Sequence, residues 1–239
     1  MRIAFLMTGY YRGFDITKER LYHWAQSVNA DLFFTTWDKD ERISDKDKFF
    51  RDITPDLFHD APNKKQVNIL SVDNFKKNRV PWIRNPRPDD VTVTDPWAVQ
   101  HDVGEKNINY WCNRIKDMWW CVNEAWKKFE PHSNNYDLVA RIRFDIDLYR
   151  WRMLSSIPDG LILPYDCGGQ VAVTDHLAYG SVSTMKKYCT FHDHYQDIYD
   201  KYNQNPQHPN NILQFYLQNT EPKIGISIDP ELDYSIYIT

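Results

Sequence analysis

The segment Tyr136-Asp137-Leu138-Val139-Ala140-Arg141-Ile142-Arg143-Phe144-Asp145-Ile146-Asp147 alternates two kinds of side chain. In an extended strand successive side chains point to opposite faces. Leu138, Ala140, Ile142, Phe144 and Ile146 therefore share one face, and Arg141, Arg143, Asp145 and Asp147 share the other. Four charges in file on so apolar a strand are costly to bury unless they pair or bind something. Carboxylates two residues apart stand roughly 7 Å from one another at ~3.3 Å rise per residue, so Asp145 and Asp147 can lean toward one divalent cation, directly or through water. Hard oxygen donors favour Mg²⁺ or Mn²⁺ over zinc. The arginines suit a diphosphate, because a guanidinium meets phosphate oxygens two at a time. The plain alternative is a ladder of Arg–Asp ion pairs on an exposed face, and an Asp-x-Asp alone is a weak motif.

Three further groups carry chemistry. Thr8-Gly9-Tyr10-Tyr11-Arg12-Gly13 closes an apolar run. Ligands of open α/β sheets bind beyond the carboxyl ends of strands, and here the glycines permit close backbone approach. Arg12 offers a phosphate partner, and the tyrosines offer a surface for a base. It is neither a P-loop nor a dinucleotide fingerprint, and a plain turn with surface tyrosines explains it as well. Asp38, after Trp37, is placed to bond a base or ribose, or to cap a helix. Asp175 and His176 interrupt the strand-like Val173–Ser181. Asp175 can hold an acceptor hydroxyl or take its proton, or serve a structural hydrogen bond. His192, His194 and His208 are candidates for a further metal ligand, although His192 and His194 would not share a helix face. No Gly-x-Ser-x-Gly elbow is present, and no Cys–His arrangement can be read.

The elements that must position these residues are legible at both ends of the chain. Arg2–Leu6 reads as a buried parallel strand closed by Gly9. A helix capped by Thr17 runs to about Asn29 with Leu21, Trp24, Ala25 and Val28 on one face, and Asp31–Trp37 is a second strand, which together make a βαβ unit. Residues 39–106 are read as a long irregular insertion or lid, with a strand near Gln66–Leu70. Ile108 to Phe129 repeats apolar residues at helical intervals. Leu138–Leu148 is a strand, Gly160–Leu163 and Val171–Ala178 shorter ones. Ser183–Tyr202 and Asn210–Asn219 are helices, and Lys223–Ile228 and Tyr234–Ile238 are closing strands.

Composition bounds the reading. A chain of 239 residues with 42% hydrophobic and 26% charged residues builds one globular domain, 1–239, with a single core of ordinary size. The aromatic share of 15% suits sugar or base stacking, or a large core. A net charge of −4 lacks the basic footprint of duplex binding, so nucleic acid is not an expected partner. The opening strand leaves no room for a signal peptide, and no apolar run reaches the ~18–20 residues of a membrane span, so a cytoplasmic location is expected. Cys112, Cys121, Cys167 and Cys189 show no Cys-x-x-Cys spacing and are expected as free thiols.

In their order along the chain these landmarks resemble a family of small GT-A glycosyltransferases of bacterial polysaccharide clusters and large viruses. The landmarks are Gly9 and Arg12, Asp31-Leu32-Phe33 through Thr36-Trp37-Asp38, a long helix, Tyr136–Val139 leading to Arg141, Arg143 and Asp145, then Asp175 with Gly180-Ser181 and Met185, and His208-Pro209. The resemblance covers about two thirds of the chain and misses most of 39–106. It implies an α/β GT-A fold, Rossmann-like, with a mixed central sheet flanked by helices. It implies transfer of a sugar from a UDP- or GDP-sugar to a hydroxyl, the acceptor being a glycan. On it, Asp145 and Asp147 hold Mn²⁺ or Mg²⁺; Thr8, Gly9, Tyr10, Arg12, Asp38, Arg141 and Asp145 surround the nucleotide; and Asp175 and Arg143 are catalytic. Inverting and retaining chemistry both stay open. The rivals are a carbohydrate-binding protein without catalysis, supported by the aromatic share, and a sugar nucleotidyltransferase, against which stands the lack of a Gly-rich, basic phosphate loop.

Overall fold

The structure, a computed structural model, describes residues 1–41, 49–78, 105–151, 156–164, 173, 175–201 and 209–236. In chain order the elements are β1 (Ile3–Gly9), α1 (Phe14–Ser27), β2 (Asp31–Trp37), β3 (Lys39–Glu41), β4 (Phe49–Asp52), a 3₁₀ turn (Pro55–Phe58), β5 (Lys64–Leu70) and α2 (Val72–Asn78). There follow α3 (Glu105–Phe129), a second 3₁₀ turn (Glu130–Asn135), β6 (Leu138–Arg143), β7 (Ile146–Arg150), β8 (Leu161–Pro164), β9 (Leu177–Ser181), α4 (Val182–Cys189), α5 (Phe191–Lys201), α6 (Pro209–Asn219), β10 (Ile226–Asp229) and β11 (Asp233–Ile236).

All seven residues of β1 are buried, as its unbroken apolar run requires of a strand covered on both faces. It lies inside a seven-stranded sheet of order β10-β8-β9-β6-β1-β2-β5. β1, β2, β5 and β6 run parallel, β9 runs against β6 and β8, and β10 pairs parallel with β8. From β1 the chain winds outward through β2 to β5, then returns to lay β6 on the other side of β1. The crevice beyond the carboxyl ends of β1 and β6 is therefore the sheet's topological switch point, where such sheets bind ligands. The mixed central sheet flanked by helices is the α/β class expected.

Two cores sandwich the sheet. On one face α3, through Trp119, Val122 and Trp126, packs with Met185, Tyr188, Phe191 and Leu213 against Ala4, Leu6, Val139 and Ala178. On the other, Phe14, Leu21 and Ala25 of α1 meet Phe5, Met7, Phe34, Leu138, Ala140 and Ile142. Lys187 ties α4 to the end of α6, its ammonium donating to the carbonyls of Leu217, Thr220 and Pro222.

Several expectations need correction. Leu138–Leu148 is not one strand. β6 ends at Arg143, Phe144 and Asp145 turn, and β7 leaves the sheet to pair antiparallel with β11. The cause is competition for the turn's side chains. The Phe144 ring packs against Phe14 at 5.0 Å and Phe58 at 6.0 Å. One face of α1 fastens the departing backbone: Thr17 Oγ1 donates to the Phe144 carbonyl at 2.8 Å, Trp24 Nε1 to that of Leu148 at 3.0 Å, and Arg20 Nη1 meets Asp147 Oδ1 at 2.9 Å. Thr17 is therefore not a helix cap. The helix starts earlier, at Phe14, with Gly13 in a left-handed conformation (φ 72°) before it.

The stretch 39–106 is more regular than expected. It supplies β3, β4, the edge strand β5 and α2, because Asp38 and β2 offer hydrogen bonds that a free loop would lack. Residues 42–48 and 79–104, the rest of the expected insertion or lid, lie outside those described. The helix expected over Ser183–Tyr202 is two helices broken at Thr190, and of the strand expected at Val171–Ala178 the described part begins at Leu177 and runs on to Ser181, while 171, 172 and 174 lie outside the described residues.

Thr17 is wholly buried, so Thr17→Val strands the Phe144 carbonyl without a donor. We expect a loss of about 1–3 kcal/mol in urea unfolding; a change near zero would show that the bond does not hold the break.

Candidate functional site

The loop from β1 into α1 is set by its glycines. Gly9 has φ +119°, which L side chains avoid, and the direction in which its missing Cβ would point is open space to beyond 4 Å. The strand exit is thus sharply turned and unobstructed. Tyr10 lies on Trp37 with ring centroids 5.9 Å apart. Tyr11 is buried among Phe14, Phe58 and Phe144, its hydroxyl donating to Asp15 at 2.7 Å, so it is core and offers no face to a base.

Arg12 turns back over the sheet edge. Its Nε stands 3.2 Å from Asp145 Oδ2. Asp145 is buried and is gripped from β6 as well, where Arg143 donates from Nε to Oδ1 at 2.9 Å and from Nη2 to Oδ2. Arg143 Nη1 reaches Asp175 Oδ2 at 3.4 Å. Asp175 Oδ1 lies 3.5 Å from His176 Nε2, and His176 Nδ1 shares a 2.8 Å hydrogen bond with the Tyr234 hydroxyl of β11. A chain of alternating charge therefore crosses the carboxyl edge: Arg12, Asp145, Arg143, Asp175, His176. Burial works against a charged Arg143, but Asp145 and Asp175 outweigh it and hold its pKa above the ordinary value.

Arg141 is different. It is fully buried (0% exposed); its Nε donates to Thr8 Oγ1 at 2.7 Å, while Nη1 and Nη2 have no hydrogen-bond partner among the described residues. Burial pushes the free thiols of Cys121 and Cys189 up to about 12, against the opposing charge of Arg141. The expectation of free thiols holds for these two. Cys167 and the side chain of Cys112 lie outside what is described.

The two acids expected to share a cation part company. Asp145 faces Arg12 and Arg143, whereas Asp147, beyond the break, faces Arg20 of α1. Among the described residues no group of three or more His, Cys, Asp or Glu stands together as metal donors. Asp193, between His192 and His194, accepts instead from Asn123 at 2.6 Å. His208 lies outside the described residues. As arranged, Asp145 and Asp147 are each taken up by arginines.

Asp38 follows β2 directly, but its Oδ1 accepts from the Val72 N–H at 2.9 Å and caps α2. The structure thus brings together Thr8, Gly9, Arg12, Arg141, Arg143, Asp145 and Asp175. It sets Asp147 and the capped Asp38 apart. Sequence reasoning missed Arg20, whose spacing from Thr17 and Trp24 on one helix face was the available signal. It missed the role of Tyr234, which no local pattern could reveal. A groove of about 620 Å³ does open at the opposite edge, between Trp126, Tyr136, Ser181 and Lys186. Its Lys186 is spent on Glu130 at 2.6 Å, and it lies at the amino ends of β1 and β6, away from the switch point.

No family model matches the chain, and no curated protein matches it significantly. Among solved structures, the apo-form glycosyltransferase GlyE of Streptococcus pneumoniae TIGR4 is similar over 95% of this chain, at 10% identity and a TM-score of 0.44. The chain spans 44% of that protein's length. A likeness this slight carries no argument about chemistry. No helix among the described residues is long and apolar enough to cross a membrane.

His176 supplies a test of the charge chain. Its side chain is 22% exposed, yet desolvation by the atoms around it dominates and holds its pKa below the ordinary 6.5, with Asp175 pulling upward and Arg143 downward. The unfolded chain then takes up this proton first as pH falls, so stability declines as pH drops through about 6.5. We expect the fall in melting temperature between pH 7.5 and 5.5 to be smaller in His176→Gln. An equal fall in both proteins would place the titration elsewhere.

Proposed function

We propose that this chain is a glycosyltransferase of GT-A type, moving a sugar from a UDP- or GDP-sugar to a hydroxyl, the acceptor being a glycan. The observation that carries the reading is the meeting of Arg12, Arg141 and Arg143 at the sheet's switch point, with Asp175 one guanidinium away. Guanidinium is the side chain that best matches diphosphate oxygens, and Gly9 leaves room for them.

The chemistry follows from this placement. The acceptor oxygen attacks the anomeric carbon while the bond from that carbon to the diphosphate oxygen breaks, its electron pair leaving with the diphosphate. Arg12 and Arg143 meet the charge that builds there. The hydroxyl proton passes to the Asp175 carboxylate, which Arg143 orients. The Arg143 contact to both Asp145 and Asp175 would thus couple donor and acceptor positions.

The rival of a sugar-binding protein without catalysis rested on aromatic content, and among the described residues much of that content lies in the cores. Trp37, Trp119 and Trp126 are among the largest fully buried side chains. Of the described aromatic residues, Tyr149 is the one that stands well exposed, and it carries the Arg20 guanidinium 4.7 Å over its ring.

The test is release of UDP or GDP from a panel of sugar nucleotides with glycan acceptors. Arg12→Gln, assayed well below its own melting temperature, should lower kcat/KM by about tenfold or more, the worth of a charged hydrogen bond. Asp175→Asn should lower kcat and leave donor KM nearly unchanged. Full activity in both variants would refute this assignment of the site.

A further inference from the structure

We propose that the diphosphate seat is completed by the buried Arg141 and needs no divalent cation. The inference rests on the nucleoside-diphosphate reading above and says how that site meets the ligand's charge.

The argument starts from an imbalance. Asp145 and Asp175 answer Arg12 and Arg143, and Asp147 answers Arg20. Arg141 has only a hydroxyl, Thr8 Oγ1, on its Nε, and two amino groups with no acceptor among the described residues. A guanidinium cannot shed its proton to escape burial, so its charge stays, and so does the cost of leaving it unmet. Such a group is tolerated where a ligand supplies the missing acceptors.

Its position suits that ligand. Arg141 and Arg143 project from the same face of β6, roughly 7 Å apart at ~3.3 Å per residue, a span that two linked phosphates can bridge. Thr8 fixes the Arg141 fork by its Nε, which leaves both Nη groups for a two-pronged contact. Next to Thr8, Gly9 leaves open space where any other residue would place a Cβ.

The same geometry disfavours a cation. Both oxygens of Asp145 already accept from guanidinium groups, Asp147 lies on the α1 side, and no cluster of metal donors stands among the described residues. A divalent ion approaching Asp145 would meet Arg12 and Arg143 first. The diphosphate meets the same groups with the favourable sign.

Calorimetry of the full chain with UDP and with GDP, in EDTA and again in MnCl₂ or MgCl₂, tests this. We expect dissociation constants that agree within about threefold across the conditions. Arg141→Met should weaken binding at least tenfold while the melting temperature without ligand holds or rises, since an unmet buried charge is replaced by an apolar chain of similar length. A residue that served only the fold would do the reverse. If the Met variant does not fold, Arg141→Lys, which keeps charge but loses the fork, gives the same readout on affinity. Binding that vanishes in EDTA and returns with Mn²⁺ overturns the inference and leaves the glycosyltransferase reading standing. Wild-type affinity in the Arg141 variants also overturns it. No binding of UDP or GDP under any condition overturns both.

Discussion

Asp145 sits where two strands leave the sheet, and its grip on Arg12 and Arg143 is the contact on which the rest of this edge depends. Buried as it is, the carboxylate would be costly without partners. With two, it joins the loop after β1 to the exit of β6. Truncating Asp145 would leave both guanidinium groups without their anion, a heavier penalty than the pair itself is worth. The site and the stability of the edge are thus one arrangement.

That contact exists because β6 stops where it does. An uninterrupted strand would have carried Asp145 and Asp147 along one face. Instead Phe144 drops into the aromatic cluster on the α1 side, and the backbone turns. Thr17, Arg20 and Trp24, one helix face, then hold the departing strand. The ribbon of β7 with β11 follows, and it is this ribbon that brings Tyr234 to His176. A packing preference in the core therefore decides which charges meet at the surface.

Charge at the edge is deliberately uneven in its effect. The Arg12–Asp145–Arg143–Asp175 chain pairs each carboxylate with a guanidinium. Beside it, the two amino groups of Arg141 have no hydrogen-bond partner among the described residues. Arg12 and Arg143 hold their places through Asp145 before any anion arrives, and preorganisation of this kind is what lets a site favour developing charge.

The sequence by itself determined the opening βαβ unit, the long helix α3, the two-faced character of residues 138–146, and the placement of Thr8, Gly9, Arg12, Arg141, Arg143 and Asp145 near strand ends. All of these are local periodicities, and the apolar alternation sent Leu138, Ala140, Ile142, Phe144 and Ile146 into one core even though the strand breaks. Tertiary structure decided the rest. It set Asp147 against Arg20, made Asp38 a helix cap, buried Tyr11, and joined residues 12, 145, 143 and 175 into one charge chain. Periodicity reports which face a residue takes on its own element. Which partner occupies that face depends on contacts between residues far apart in the chain, and the pattern within any one segment holds no record of them.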